Sequence, residues 1–293
     1  MTEHPKPISR RRFGLSLALA AAGAACNHLK PNAMPQTHAA PVAFISHGAP
    51  TLATDLSAGA DLRRWGQSLT RPTAIVTISA HWQTAAATIG TTSTQALIYD
   101  FSGFPDALYK VPYAAPGAPD LARRIAALLA PLGPVGQSEQ RSWDHGVWVP
   151  LLHLFPNADV PLLQVSLPRW SPKALFELGR RLAPLRREGV LVLASGGVTH
   201  NLRLIGARGP TPDWALAFDG WLVERLQTGD VDGLLDYGHK APALRLAHPS
   251  EEHWTPMLVA LGAAAEDGPL PKVQFPVTGW EYAHLSRRSV QFG

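Results

Sequence analysis

The stretch Val42-Ala43-Phe44-Ile45-Ser46 is a continuous apolar run that leads directly into His47. A segment that is apolar at every position, rather than at alternate positions, is typical of a strand buried on both faces of a sheet. Runs of the same character occupy residues 74–79 and 190–195, and each also ends in serine. The repeated pattern predicts a central sheet made mostly of parallel strands.

Helical patterns lie between and after these runs. They cover residues 119–129, 173–185, 213–227 and about 250–264. Either Ser250 or Thr255 could cap the last of them, and the sequence leaves that choice open. Strands that alternate with helices favour a single α/β domain over residues 42–293, in which helices cover both faces of a mostly parallel sheet.

Four histidines stand at or near the ends of these predicted elements. His47, His81 and His200 each follow one of the apolar runs within five residues, and His253 stands at the entrance of the last predicted helix. Open parallel sheets bind ligands at the carboxyl ends of their strands. Because imidazole is the commonest protein ligand for metals such as zinc and iron, we expect a metal centre at these strand ends.

A fifth histidine and an aromatic loop are further candidates for the site. His145 stands in Trp-Asp-His-Gly-Val-Trp at residues 143–148, where a neighbouring acid and bulky aromatic side chains favour a pocket residue that transfers protons. Residues 100–105 read Asp-Phe-Ser-Gly-Phe-Pro, and an aromatic substrate could stack there. The same composition also fits a proline-stiffened loop over the core.

The charge distribution and the lack of certain motifs argue against several classes of function. The net charge of +4 comes from the first 41 residues, so the rest of the chain is balanced and carries no basic stripe for nucleic acid. The sequence contains no Gly-x-Ser-x-Gly and no His-Glu-x-x-His motif, which argues against a serine hydrolase and a zinc protease of those types.

The N-terminal residues match an export signal. Ser9-Arg10-Arg11-Arg12-Phe13 precedes a short apolar run at residues 14–25. This pattern is typical of a twin-arginine signal, since a membrane-spanning helix needs about 20 apolar residues. We therefore expect residues 1–26 to direct the protein to the periplasm through the twin-arginine export machinery.

The segment after the signal determines how the mature protein would begin. Cys26, the only cysteine, stands where the apolar run ends, so either lipidation at Cys26 or ordinary cleavage nearby fits the sequence. Residues 27–41 read as a flexible tether. Membrane contact is expected only through the signal or a lipid anchor.

Taken together, the motifs resemble those of the class III extradiol ring-cleavage dioxygenases, in particular the 4,5-DOPA extradiol dioxygenase branch, and occur in that family's order over residues 42–293. The motifs are Ser46-His47-Gly48-Ala49-Pro50, Ser79-Ala80-His81-Trp82, the loop at 100–105, Asp144-His145-Gly146, Ser195-Gly196, Thr199-His200-Asn201-Leu202-Arg203 and Glu252-His253-Trp254.

The resemblance implies a single non-haem metal and the opening of a catechol-type ring by O₂ to a muconic semialdehyde-type product. By position, His47, His81 and His253 match metal ligands. His200 matches a residue that serves as a further ligand or as an acid–base group. His145 matches a histidine that contacts the substrate near the metal.

The implied ligand set leaves the metal open. His253 stands where the wider superfamily places a glutamate, and an all-imidazole set suits both Fe(II) and Zn(II). Dioxygenase activity requires Fe(II), because zinc has no redox chemistry. We expect Phe101, Phe104 and Trp82 to contact the catechol. The alternatives are an exported zinc-dependent hydrolase of the same fold and a non-enzymatic lipoprotein that binds metal or aromatic compounds.

Overall fold

The computed structural model describes residues 1–4, 39–206, 208–266 and 268–293. The chain divides into two units, Met1–Thr37 and His38–Gly293, and the fold described below belongs to the second. The predicted export signal, Cys26 and most of the predicted tether lie outside the described residues. Within the described ranges, every helix is too short or too polar to cross a bilayer.

The strands of the second unit form one large sheet and one small hairpin. They are β1 (Val42–Ser46), β2 (Ala74–Thr84), β3 (Thr88–Ile89), β4 (Gly136–Gln137), β5 (Leu162–Pro168), β6 (Val190–Gly196), β7 (Val273–Val277), β8 (Trp280–Glu281), β9 (Leu285–Ser286) and β10 (Ser289–Phe292).

The helices pack around the large sheet or connect its strands. They are α1 (Ala60–Ser68), α2 (Pro119–Leu129), α3 (His145–Leu154), α4 (Pro172–Leu182), α5 (Pro184–Arg187), α6 (Asp213–Thr228), α7 (Val231–Leu235), α8 (Tyr237–Lys240), α9 (Leu244–Ala247) and α10 (Pro256–Ala265). Short 3₁₀ turns lie at Pro50–Ala53, Asp106–Lys110, Ala130–Leu132 and Leu202–Leu204.

The large sheet has the order β4-β3-β5-β2-β6-β1-β10-β7. Its centre, β5-β2-β6-β1, is parallel throughout. On one side β10 and β7 add antiparallel strands, and on the other β3 pairs antiparallel with β5. The mostly parallel α/β sheet predicted from the sequence is therefore confirmed, with antiparallel strands at its margins.

Both faces of the sheet are buried, which explains the continuous apolar runs. Alternate residues of β1 enter different cores: Phe44 packs with α2, α4, α6 and α10, whereas Ile45 packs on the other face with α1 and α3. Both side chains are fully buried. Burial of a side chain of this size contributes about 1.5–3 kcal/mol to the free energy of unfolding.

Three predicted boundaries differ from the structure. The helix expected over 173–185 is two helices, α4 and α5, because Pro184 starts a new helix after Leu182. The last helix begins at Pro256 rather than near Ser250, so Thr255 occupies the N-cap position and proline the first helical position. β2 continues to Thr84, five residues beyond the predicted end.

Candidate metal centre

Three separate elements bring His47, His81 and His253 to one place. His47 directly follows β1, and its backbone N–H donates to the Gly196 carbonyl at the end of β6. His81 lies inside β2, where pairing with β5 shifts register, rather than after the strand as predicted. His253 lies in the turn that precedes α10. The ends of β1, β2 and β6 therefore surround one point.

The three imidazoles form a compact group. Their ring centroids lie 4.9 Å (His47 to His81), 5.2 Å (His47 to His253) and 5.0 Å (His81 to His253) apart. One ligand nitrogen from each ring lies within 4.8 Å of the other two. His47 and His253 are only 3% and 5% exposed, so the group is largely shielded from water.

Ser195 sets the tautomer of His47. The Ser195 hydroxyl donates to the Gly146 carbonyl oxygen, so its remaining capacity is as an acceptor. His47 Nδ1 lies 2.9 Å from that hydroxyl oxygen and must donate to it. The proton of His47 therefore sits on Nδ1, and Nε2 presents a lone pair.

Asp100 sets the tautomer of His81 in the same way. Its Oδ2 lies 3.0 Å from His81 Nδ1. Hydrogen bonds and positive charge from His145 and His81 outweigh burial and hold the pKa of the Asp100 carboxyl well below its usual range. Since an ionised carboxylate can only accept, His81 Nδ1 donates, and in the neutral imidazole His81 Nε2 is therefore the nitrogen with the lone pair.

The third imidazole follows the same rule. His253 Nδ1 lies 3.1 Å from Glu252 Oε1, to which it donates. Its Nε2 is buried and has no hydrogen-bond partner. A buried polar atom without a partner costs free energy unless something else satisfies it. All three histidines thus direct an unprotonated Nε2 toward the centre of the group.

This arrangement fits a divalent metal. His47 Nε2 and His81 Nε2 are 3.1 Å apart, and in the neutral tautomers favoured by Ser195 and Asp100 neither nitrogen carries a proton. Two nitrogens about 2.1 Å from a shared ion lie about 3.0–3.4 Å apart when the bond angle is between a right angle and a tetrahedral one. Hydrogen bonds from the opposite ring nitrogens to a carboxylate or hydroxyl are the usual support of histidine ligands.

Burial keeps two of the ligands neutral. It lowers the pKa values of His47 and His253 well below 6.5, with a further contribution from the positive charge that neighbouring histidines would carry. For His81, burial acts in the same direction, but the hydrogen bond to Asp100 and the charges of Asp144 and Asp100 outweigh it and raise the pKa. Neutral imidazole is the form that binds metal.

Two glycines permit the close approach of these elements. A Cβ on Gly196 would lie 2.1 Å from the His253 carbonyl oxygen, so only glycine lets the turn before α10 reach the end of β6. A Cβ on Gly146 would lie 2.7 Å from Ser79 Oγ and 2.9 Å from the His81 ring. Gly146 therefore lets the start of α3 pack against the end of β2.

His145 is joined to the metal group through Asp100. It is the first residue of α3, and its Nδ1 donates to Asp100 Oδ1 over 2.7 Å, while its backbone N–H donates to the same oxygen over 3.1 Å. The His145 and His81 rings lie 4.1 Å apart. One carboxylate therefore orients a predicted ligand and the predicted proton-transfer residue together.

The structure places His200 beside the group rather than in it. Its ring stacks on His253 at 3.4 Å with an interplanar angle of 6°. One of its ring nitrogens groups with a carboxylate oxygen of Glu252 and a ring nitrogen of His253, and this group is separate from the set formed by His47, His81 and His253. Burial, reinforced by the charge of His248, lowers the pKa of His200 to about 4. The prediction that His200 serves as a further ligand or as an acid–base residue stays a prediction, with its ring packed against one face of His253.

A cavity of about 580 Å³ opens over the histidines, a volume within the range of small-molecule sites. Phe101 and Phe104 line it as predicted, and the Phe101 ring meets His145 edge-on at 5.5 Å. Trp82 is placed differently from the prediction. Its ring does not line this cavity and instead faces the Arg141 guanidinium at 5.2 Å.

Sequence reasoning left the roles of Ser195, Asp100 and Glu252 unassigned. The signal for Ser195 was present, because each of the three apolar runs ends in serine. Asp100 stands in an aromatic loop, and no local pattern connects it with His81 or His145, which are distant in sequence. Glu252 was noted only as part of a motif.

The comparisons with known proteins identify the family and the fold. A family model described as the catalytic LigB subunit of aromatic ring-opening dioxygenase matches residues 37–293. The chain belongs to this family. Its membership confirms the resemblance seen in the sequence and makes the protein an extradiol ring-cleavage dioxygenase, an oxidoreductase. LigB dioxygenases use a single metal, which agrees with the single group of three histidines.

Relatives of this LigB-family chain extend over most of its length. The "4,5-DOPA dioxygenase extradiol" of Beta vulgaris is 41% identical over 258 residues, covering 85% of this chain and 95% of the relative. The protein of the same description from Escherichia coli K12 is 41% identical over 264 residues, covering 86% and 94%. A crystal structure of an uncharacterized Escherichia coli K12 protein superposes with a TM-score of 0.72 at 36% identity, covering 87% and 100%.

Proposed function

We propose that the protein uses Fe(II) and O₂ to cleave a catechol-type ring in the extradiol manner, giving a muconic semialdehyde-type product. The observation that carries the proposal is the convergence of three unprotonated Nε2 atoms, from His47, His81 and His253, beneath a cavity with aromatic walls. The names of the relatives, 4,5-DOPA dioxygenase extradiol, support a catechol as the substrate class.

A redox-active metal would supply the electron transfer to O₂ that the side chains cannot provide. Fe(II) held by these histidines would bind the catechol oxygens and carry electrons from the ring to O₂, whereas zinc has no redox activity. The neutral ligands leave the ion its full positive charge, which favours an anionic catecholate. The buried position of His47 and His253 limits competition from water.

The remaining residues orient the ring and move a proton. Phe101 and Phe104 offer edges and faces against which an aromatic ring stacks. His145 donates its Nδ1 proton to Asp100, so its Nε2 is free to accept the phenolic proton. Asp100 then stabilises the imidazolium that forms, which favours His145 over His200 as the acid–base residue.

The proposal is tested by loading the purified chain with Fe(II) and following O₂ uptake and absorbance with a panel of catechols. We expect O₂ uptake and a yellow product with iron, and neither with an equal occupancy of zinc. Absence of both signals at one iron per chain would contradict the proposal. Metal-dependent hydrolysis of esters by the zinc form would instead favour the zinc hydrolase.

We also propose that the chain is exported to the periplasm by the twin-arginine route. The supporting observation is the sequence of residues 9–25. Replacement of Arg10 and Arg11 together by lysine should retain the protein in the cytoplasm, and normal export of that variant would contradict the signal. If Cys26 is lipidated, the unaltered chain should incorporate labelled fatty acid and Cys26→Ser should not. If the signal is simply cleaved, neither chain should incorporate it.

A further inference from the structure

His81 lies in a part of β2 where the pairing of the strand is interrupted. The register of β2 with β6 ends at Ser79, and its register with β5 breaks off between Ile78 and Gln83. Backbone N–H and carbonyl groups inside a protein are rarely left without a hydrogen-bond partner. At His81 side chains, rather than a neighbouring strand, bind both groups.

Both backbone groups of His81 are connected to the carboxylate of Asp144. The His81 N–H donates to Ser79 Oγ over 3.2 Å, and that hydroxyl donates to Asp144 Oδ1 over 2.7 Å. The His81 carbonyl accepts from Arg141 Nη2 over 3.1 Å, and the same Nη2 donates to Asp144 Oδ2 over 2.7 Å. One carboxylate therefore holds the two side chains that take the place of strand pairing.

The Asp144 carboxylate is fully buried, with 0% of its side chain exposed. A third donor reaches it from β5, since Gln164 Nε2 donates to Oδ2 over 2.6 Å. A buried carboxylate is costly to a fold unless an opposite charge and hydrogen bonds compensate it. Arg141 supplies the charge, and Ser79 and Gln164 supply further hydrogen bonds, so Ser79 and Arg141 are held in fixed places beside His81.

Asp144 also supports the start of α3. It occupies the N-cap position, and its backbone carbonyl accepts two N–H groups of the first helical turn, over 2.9 and 3.1 Å. The next residue is His145, the proposed proton acceptor. Asp100 lines the cavity and binds the rings of His81 and His145, whereas the buried Asp144 supports the backbone at both residues.

We propose that Asp144 is a positioning residue of the metal centre, which replaces strand pairing at His81 and so sets the direction of its imidazole. Asp144 acts on His81 through Ser79 and Arg141. This inference rests on the proposed function in one respect, that His81 binds a metal, and it requires no turnover of a catechol. Loss of either connection should release the His81 backbone and weaken metal binding.

Ser79→Ala tests the connection to the His81 N–H. The variant removes one hydroxyl, adds no atom and leaves the ion pair of Arg141 with Asp144 in place. Competition with a chelator measures the affinity of the full chain for Zn(II), and we expect a fall of about 10- to 100-fold, the usual effect of losing a group that orients a ligand. Because the visible absorption of Co(II) depends on its coordination geometry, the Co(II)-loaded variant should also absorb differently.

Ser166→Ala is the matched control for this variant. Ser166 lies in β5 and is as fully buried as Ser79. Its hydroxyl also accepts a backbone N–H, that of Thr88, over 2.9 Å. We expect the Zn(II) affinity and the Co(II) spectrum of this control to match those of the unaltered chain. Equal Zn(II) affinities in Ser79→Ala and Ser166→Ala would overturn the positioning role.

Asp144→Asn tests the carboxylate itself. The amide cannot accept from all three donors, so we expect both the melting temperature and the Zn(II) affinity to fall, with the same change in the Co(II) spectrum. Asp219→Asn is the control, because Asp219 forms another buried ion pair, with Arg288 at 2.6 Å. That variant should lose thermal stability and keep its Zn(II) affinity.

A purely structural role for Asp144 would give a different result. Asp144→Asn would then lose thermal stability at unchanged Zn(II) affinity and an unchanged Co(II) spectrum, as Asp219→Asn does, and this would overturn the proposal. If Asp144→Asn does not fold, the comparison of Ser79→Ala with Ser166→Ala decides. Absence of metal binding by the unaltered chain would contradict the proposed function as well, whereas absence of O₂ uptake alone would leave the role of Asp144 intact.

Discussion

His47 Nε2 and His81 Nε2 face each other at 3.1 Å, and the hydrogen bonds to Ser195 and Asp100 place the single proton of each neutral ring on Nδ1. Two lone pairs at this distance repel each other unless a cation lies between them. Glu252 accepts a hydrogen bond from His253 Nδ1 in the same way, which leaves a third lone pair on His253 Nε2. The hydrogen bonds of the fold therefore orient these histidines for a cation before any ion binds.

Asp100→Asn should weaken metal binding. An amide oxygen cannot accept from both His81 Nδ1 and His145 Nδ1 as the two carboxylate oxygens do, so at least one imidazole loses its orientation. Loss of such a supporting carboxylate typically reduces metal affinity about 10- to 100-fold. Competition with a chelator measures the change. Asp236→Asn, which alters an exposed carboxylate bonded to His239, is the control and should leave the affinity unchanged.

His145→Gln should separate chemistry from metal binding. The variant loses the proposed proton acceptor but none of the three predicted ligands. We expect one metal per chain and a fall in kcat of about 10²- to 10⁴-fold, the usual contribution of a general acid–base residue. Metal analysis and O₂ uptake check both values. Full activity in this variant would show that the phenolic proton goes elsewhere.

Gly196→Ala should displace the turn that carries His253. The added Cβ would meet a backbone oxygen at 2.1 Å, which cannot move without shifting His253 itself. We expect metal binding to be lost together with thermal stability. Gly220→Ala is the matched control: Gly220 lies within α6 with open space around it, so alanine there should raise the free energy of unfolding by about 0.5–1 kcal/mol. Retention of metal by Gly196→Ala would contradict this packing.

The elements predicted most accurately were those with a regular local pattern: β1 is buried at every position, and α2 buries one face. The apolar run at 42–46 coincides with β1, and the helix predicted over 119–129 coincides with α2. Where tertiary contacts decide, the sequence was less informative. The apolar run of β2 ends at Ser79, yet the strand continues because Gln83 and Thr84 pair with β5 after a register shift.

The site shows the same division. The positions of His47 and His81 near the ends of β1 and β2 followed from the rule for parallel sheets, and that of His253 from the start of the last helix. The stacking of His200 on His253 did not, because it depends on the path of residues 197–200 after β6. The hydrogen bonds of Asp100 also depend on a loop outside the parallel strands, so no periodic pattern in the sequence predicts them.

His248 provides a test of stability against pH. It is fully buried, its Nε2 donates to the Val198 carbonyl, and burial lowers its pKa to about 4 from 6.5. Between these values the unfolded chain binds the proton and the folded chain does not. The free energy of unfolding therefore falls as pH decreases from 6.5 to 4, by roughly 3 kcal/mol from this residue.

In metal-free protein, His248→Gln should lose less free energy of unfolding on acidification than the unaltered chain does. Glutamine retains a hydrogen-bond donor but does not titrate. Urea unfolding at pH 7 and pH 4 measures the difference, with His239→Gln as the exposed control. An equal loss in the two variants would show that His248 does not contribute to the acid sensitivity.

Iron held by His47, His81 and His253 would supply the redox chemistry by which the enzyme inserts both atoms of O₂ into a catechol ring. The most direct measurement is turnover of a catechol under ¹⁸O₂ by protein with one iron per chain, followed by mass spectrometry of the ring-opened product. We expect one O₂ to be consumed per catechol and two ¹⁸O atoms to appear in the product. Absence of O₂ consumption at full iron occupancy, or a product without ¹⁸O, would contradict it.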